Sequence, residues 1–188
     1  MEIITKTELQ LRYEEVLQRI QDGAVFIKPT DTIYGLSCNA LNKKAVEKIR
    51  EIKDRATNPF SVVAPSLDWI RKNCFLDKKA LGWLDKLPGP YTLITKLKNK
   101  KAVAENVNSK MDTLGVRFPD HWVTTIAADL DLPLVTTSVN KTGDFFMTSL
   151  EDLNEDIKNH VDFILYEGEK KSRPSKIVDL STGNVKER

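Results

Sequence analysis

The chain has 188 residues, 40% hydrophobic and 30% charged, which excludes intrinsic disorder and favours one soluble domain with at most a second small lobe. Its 29 Lys and Arg against 27 Asp and Glu leave a formal net charge of +2, too little for a polycation that holds nucleic acid by charge alone, though not too little for a local basic patch. The longest apolar runs, such as 24–27, fall far short of the ~20 residues of a membrane span, and the acidic N-terminus lacks the apolar core of a signal peptide, so no membrane and a cytoplasmic location are expected.

In chain order, residues 7–10 fit a capping box, and Leu9, Tyr13, Val16, Leu17 and Ile20 recur at helical spacing until Gly23 stops the run. Residues 24–28 read as a short buried strand ended by Pro29. Asn42 caps a helix with Ala45, Val46, Ile49 and Ile52 on its apolar face, running out near 53–55. A strand is expected over 60–64, and two short helices over 66–72 and 77–86, built around Trp69, Leu81 and Leu84. Pro88-Gly89-Pro90 forms a rigid turn before a strand over 91–97, and the Lys-rich stretch 96–101 reads as a hairpin or loop. Strands over 113–118, 134–138, 162–166 and 177–180 alternate with a helix over 121–130 and another led by a capping box at 148–151. Interleaved strands and helices predict an α/β fold with a mixed sheet, in one domain over 1–188.

The familiar nucleotide and hydrolase signatures are absent. There is no GxxxxGK[ST], no GxGxxG and no GxSxG. His121 and His160 are too few for a histidine metal cluster, and Cys38 and Cys74 have no ligand spacing and read as buried reduced thiols. Chemistry is left to four polar clusters at strand and helix ends, where α/β sheets bind ligands. Thr30, Asp31, Thr32 and Tyr34 follow a buried strand and make either an Asx- or Ser/Thr-type turn or a ligand site. Lys53 and Arg55 flank Asp54 at a helix end, as dipole-compensating charge or as a phosphate clamp. Arg117 ends an apolar strand and needs a carboxylate, from the protein or from a ligand. Ser138 and Asn140 lie where a strand opens into small hydrogen-bonding side chains, suited to phosphate oxygens or to an ordinary turn.

Together the segments PTDTIYGL (29–36), KDR (53–55), PGPYT (88–92), GVRFPDH (115–121), PLVTTSVNKTG (133–143) and PSKIVDL (174–180) resemble, in order and interval, the YrdC-like threonylcarbamoyl-AMP synthases, and the KxR and SxN pair is the family's signature. The resemblance implies a twisted mixed α/β sheet with an open concave ligand cavity. It also implies condensation of L-threonine, bicarbonate and ATP into threonylcarbamoyl-adenylate and pyrophosphate. Mg²⁺ would accompany the ATP, with no tightly bound metal site. A downstream threonylcarbamoyl-transferring complex would use the product to modify tRNA, and tRNA itself is a further candidate partner.

Residue by residue, the resemblance makes Lys53 and Arg55 the catalytic clamp. It places Thr92, Ser138, Asn140, Thr148 and Arg188 with them around ATP, and Thr30, Thr32, Tyr34, Arg117 and Ser175 around threonine, Ser175 also lying toward the nucleotide. Carbamate formation and phosphoryl attack need orientation and cationic charge more than a strong base, which fits the lack of a catalytic His motif.

Three departures from the family pattern stand out. Val63 replaces a His found in many longer relatives, Lys176 follows Ser175 where a Thr is common, and the length matches the short form without the added C-terminal domain. Two other readings remain. One is an RNA-binding module using Lys96–Lys101 and the segment 170–173. The other is the carbamoyl-phosphate-dependent adenylation of hydrogenase-maturation proteins, which the length and missing cysteines disfavour.

Overall fold

A computed structural model describes residues 1–109 and 111–187. The first half of the chain forms β1 (Glu2–Thr5), α1 (Lys6–Leu11), α2 (Tyr13–Gln21), β2 (Phe26–Lys28), β3 (Gly35–Ser37), α3 (Lys43–Ile52), β4 (Ser61–Val63), α4 (Leu67–Asn73) and α5 (Lys78–Leu84). The second half forms β5 (Tyr91–Lys96), β6 (Thr113–Arg117), α6 (Thr124–Asp129), β7 (Leu134–Ser138), α7 (Glu155–His160), β8 (Phe163–Tyr166), β9 (Lys176–Asp179) and β10 (Val185–Lys186). The strands make one ten-stranded sheet in the order β1-β8-β2-β3-β7-β4-β6-β5-β9-β10. Parallel pairs (β1 with β8, β8 with β2, β4 with β6, β5 with β9) and antiparallel ones alternate irregularly, so the sheet is mixed, as the sequence predicts.

Side-chain alternation gives the sheet two different faces. One is largely apolar: Ile27, Leu36, Val62, Leu93, Val116, Val135, Ile164 and Val178 pack against α3, α4, α5 and α7. On the other face Phe26, Val63, Leu134 and Phe163 form a smaller core with Val16, Leu17 and Ile20 of α2 and Ile126 and Ala127 of α6. The rings of Phe26 and Phe163 stack there at 5.0 Å. Farther along the same strands this face turns polar or bare: Lys28 pairs with Gly35, Gly35 with Ser138, Ser61 with Thr136 and with Gly115. The apolar helices cover one part of this face, and the polar remainder forms the floor of a cavity.

Several local expectations shift. The first capping box is Thr5 with Glu8, not residues 7–10, and the helix is broken at Arg12 into α1 and α2. Tyr13 is only half-buried and hydrogen-bonds Asp129 at 2.7 Å. The second capping box is Ser149 with Asp152, closing a short 3-10 turn, while Asn154 caps α7. α6 starts at Thr124 rather than 121, and the preceding residues form a turn with Thr124 N–H donating to the His121 carbonyl at 3.1 Å. Leu81 is exposed, and Ala80 and Leu84 carry the buried side of α5. Cys38 and Cys74 are free and buried, and burial raises both thiols, Cys74 to about 12.

Candidate active site

The polar end of the sheet opens into a cavity of about 510 Å³ including its mouth. The PTDT turn between β2 and β3 contributes Thr30, the β3 approach Tyr34 and Gly35, the α3–β4 loop Arg55 and Pro59, β4 Ser61, β5 Thr92, β6 Arg117, β7 Thr136 to Ser138, and the segment before β9 Ser175. Seven of the positions expected around the ligands thus meet in one space: Thr30, Tyr34, Arg55, Thr92, Arg117, Ser138 and Ser175.

Glycine is required at two points of this face. A Cβ on Gly115 would lie 2.5 Å from Ser61 Oγ and 3.3 Å from Thr92 Cγ2, and one on Gly35 would lie 3.1 Å from Thr136 Oγ1. Bare backbone at Gly115 lets the lining side chains Ser61 and Thr92 pack over it, and at Gly35 it leaves the lining without a side chain.

The PTDT segment is a network of hydroxyls. Thr30 Oγ1 donates to the Ile33 carbonyl at 2.7 Å, accepts from the Thr32 amide at 3.1 Å and lies 3.0 Å from Thr32 Oγ1. Arg117 finds its carboxylate within the protein: Nη2 donates to Asp31 Oδ1 at 2.6 Å and to Thr32 Oγ1 at 3.2 Å, with both partners of the ion pair nearly inaccessible. Asp31 Oδ2 also accepts from the Asp120 amide at 3.3 Å, tying the turn to the GVRFPDH segment. Tyr34 donates to the Gly168 carbonyl at 2.7 Å and stacks on Tyr166, and burial pushes its phenol up to about 12. Thr92 and Ser175 share a hydroxyl–hydroxyl hydrogen bond of 2.8 Å.

The KDR and SVN segments meet, but their two cations differ in role. Arg55 lines the cavity, donating to the Pro59 carbonyl at 2.7 Å, with its guanidinium 5.1 Å from the Phe60 ring centre. Lys53 lies behind the lining. Its Nζ donates to the carbonyls of Ser138 (2.7 Å) and Asn140 (2.6 Å) and to Asn140 Oδ1 (3.1 Å). Burial, and then the charge of Arg55, bring this amine down to about 8. Asn140 Oδ1 also accepts from Ser138 Oγ at 2.6 Å, and Asn140 Nδ2 donates to the Asp144 carbonyl at 2.8 Å, so the SVN loop is held as one unit.

Other expected positions fall elsewhere. Thr148 donates to Asp152 within the capping turn and does not line the cavity, and Arg188 lies outside the described residues. Val63 is buried in the smaller core, and Lys176 points outward to Glu187 at 2.8 Å, so Ser175 alone faces the cavity at that step. Ser61 carries no local sequence signal, and Gly35 belongs to the PTDTIYGL segment without any sign there of what it faces. They are found only through strand register. His121 is a structural partner away from the lining: its Nε2 lies 2.8 Å from Glu167 Oε1, and Glu167 also accepts from Trp122 Nε1 at 2.6 Å and from Lys170. Among the described residues no group of three His, Cys, Asp or Glu side chains is placed to hold a metal, and no helix is long and apolar enough to cross a membrane.

Similarity to known proteins bears on the same residues. The chain is 35% identical over 176 residues to a Methanocaldococcus jannaschii protein provisionally named threonylcarbamoyl-AMP synthase, covering 92% of this chain and 82% of that protein. It is 30% identical over 182 residues to the threonylcarbamoyl-AMP synthase of Vibrio campbellii, covering 92% and 96%. The fold superposes with a TM-score of 0.84 on P. abyssi Sua5 solved with L-threonine, at 26% identity. That match covers 98% of this chain, which spans 55% of the longer Sua5. The sequence profile described as "Telomere recombination" matches residues 18–187, every cavity-lining segment included, and the chain belongs to this Sua5/YciO/YrdC family.

Proposed function

We propose that the protein is a threonylcarbamoyl-AMP synthase. The carrying observation is that two guanidinium groups, Arg55 and Arg117, line one cavity, with the hydroxyls of Thr30, Thr92, Ser138 and Ser175 around them. Such a cavity suits a ligand pair with two anionic ends: the phosphates of ATP toward Arg55 and Ser138, the carboxylate of L-threonine toward Arg117.

In this reading the threonine amine and bicarbonate give a carbamate and water. A carbamate oxygen then attacks the α-phosphorus, and the bond to the β-phosphate breaks, with pyrophosphate leaving with the electron pair. Negative charge grows on phosphoryl oxygens during the attack, and a fixed guanidinium in a partly desolvated cavity stabilises it. Arg55 is the catalytic group of this proposal. Lys53 positions the SVN loop, through its bonds to the Ser138 and Asn140 carbonyls. Thr32 and Asp31 orient Arg117 for the amino acid, and Asn140 orients Ser138.

The donor set fits a magnesium ion bound through the nucleotide's own phosphates, since Asp31, the carboxylate of the PTDT segment, is engaged by Arg117. When bound with ATP, Mg²⁺ would neutralise phosphate charge. The adenylate would then pass, in the cytoplasm, to a complex that transfers threonylcarbamoyl to tRNA.

The test is pyrophosphate release from MgATP. It should require both L-threonine and bicarbonate, label the product from ¹³C-bicarbonate rather than carbamoyl phosphate, and fall about 100-fold or more in Arg55→Ala. Release that ignores threonine and bicarbonate, or persists in Arg55→Ala, rules the reading out.

A further inference from the structure

Lys28 plays no part in the chemistry above. Its side chain is wholly buried at the end of β2, and Nζ has no hydrogen-bond partner among the described residues. A buried ammonium without partners is costly, and an apolar side chain would fill the same space without that cost. Register shows where the amine is placed. Lys28 pairs with Gly35, and Gly35 with Ser138, so all three share the face that becomes the cavity floor. A Cβ on Gly35 would sit 4.0 Å from Lys28 Nζ and 3.1 Å from Thr136 Oγ1, and both Gly35 and Thr136 line the cavity. The amine is itself sealed and does not line the cavity; Gly35, a lining residue without a side chain, lies beside it. A ligand oxygen at the place a Gly35 Cβ would take lies 3.1 Å from the Thr136 hydroxyl and 4.0 Å from the amine, close enough to feel its charge.

We propose that Lys28, Gly35 and Thr136 form an oxyanion subsite that takes a small carboxylate-class group, namely bicarbonate and the carbamate carboxylate derived from it. The identity of this ligand rests on the synthase reading, whereas the subsite itself does not. Arg117, already oriented by Asp31 and Thr32, provides a separate carboxylate site for the amino acid.

The groups that act on Lys28 are Asp31 from the PTDT turn, Arg117 from β6 and His121 from the turn before α6, with Gly35 and Thr136 as uncharged neighbours. Burial is the largest influence and Arg117 adds to it, against Asp31, so the amine falls to about 7. An entering anion supplies the missing counter-charge and raises that value, so above pH 7 binding draws a proton onto Nζ.

NMR of the ¹³C-lysine-labelled full chain tests this without any turnover. The Lys28 Cε signal, assigned by its loss in Lys28→Met, should titrate near neutral pH. Adding sodium bicarbonate should move its midpoint upward, whereas L-threonine alone should not. In turnover assays Lys28→Met should raise the bicarbonate KM about tenfold or more while the threonine KM stays within twofold. Thr136→Val should shift the same constant in the same direction, and neither variant should melt below the parent. A bicarbonate-induced shift in a chain that releases no pyrophosphate would sustain the subsite and sink the synthase reading. Normal synthase activity with an unmoved Lys28 signal and an unchanged bicarbonate KM would overturn the subsite alone. A shift produced by L-threonine instead would overturn the assignment to bicarbonate.

Discussion

Arg117 and Lys28 are buried cations with opposite solutions to the same problem. Arg117 has Asp31 at 2.6 Å, a charge-assisted hydrogen bond that compensates its desolvation. Lys28 has no such bond and meets the cost of burial by giving up its proton near neutral pH. The consequence for stability has a definite sign. Between about pH 7 and 10.5 the unfolded chain holds a proton on this lysine that the folded chain does not, so the Lys28 contribution to stability improves as pH rises through that window. Lys28→Met removes the penalty. At pH 7 the variant should melt about 4 °C or more above the parent, and the gap should close toward pH 10.5. Thermal melts of the two chains across that range check it, and a variant less stable than the parent at pH 7 would show that the amine has a bonding partner worth more than its burial costs.

At the scale of elements, the end of α3 and the exit from β7 are latched together. Lys53 is the residue that ends α3. Its Nζ binds the Ser138 and Asn140 carbonyls, and its own carbonyl accepts from Thr142 Oγ1 at 3.1 Å. Lys53→Met should therefore release the loop rather than merely delete a charge. Hydrogen-exchange protection should drop over residues 138–144, kcat/KM should fall about 100-fold, and the melting temperature should move little, because α3 keeps its apolar face. Unchanged exchange in that loop would assign the lysine a direct phosphate role instead.

The same scale shows where sequence reading stops. α3, with its Asn42 cap and its four expected buried side chains, follows from local pattern alone. The first capping box does not: Thr5 and Thr7 both begin acceptable spacings. β1 delivers Thr5 in an extended conformation by pairing with β8, and Glu8 is a charged partner where Gln10 is neutral. β1, β3 and β10 are four, three and two residues long, too short for alternation to mark them.

Across the whole molecule, the site is legible as a set of residues and illegible as an arrangement. Of the positions the motif resemblance names, Thr30, Tyr34, Arg55, Thr92, Arg117, Ser138 and Ser175 line the cavity, whereas Lys53, Thr32, Asn140 and Thr148 do not and Arg188 lies outside the described residues. Nothing local says that β7 lies between β3 and β4, or that β8 separates β1 from β2, yet that order is what brings Gly35, Ser61 and Lys28 to the same face. The organising rule is alternation across one sheet with one closed and one partly open face, and neighbouring residues on β6 test it. Val116 is buried on the closed face, while Gly115, on the other face, lies against the cavity-lining side chains Ser61 and Thr92. Val116→Ala leaves a small void and should cost about 2 kcal/mol in denaturant unfolding, with the KM values for ATP, threonine and bicarbonate all within twofold. Gly115→Ala places a methyl 2.5 Å from Ser61 Oγ, so Ser61 and Thr92 must both give way. It should raise at least one KM about tenfold, and should cost roughly 1–3 kcal/mol from overpacking. If Val116→Ala disturbed substrate binding as strongly as Gly115→Ala, the two faces would be coupled, and the separation of scaffold from site would be wrong.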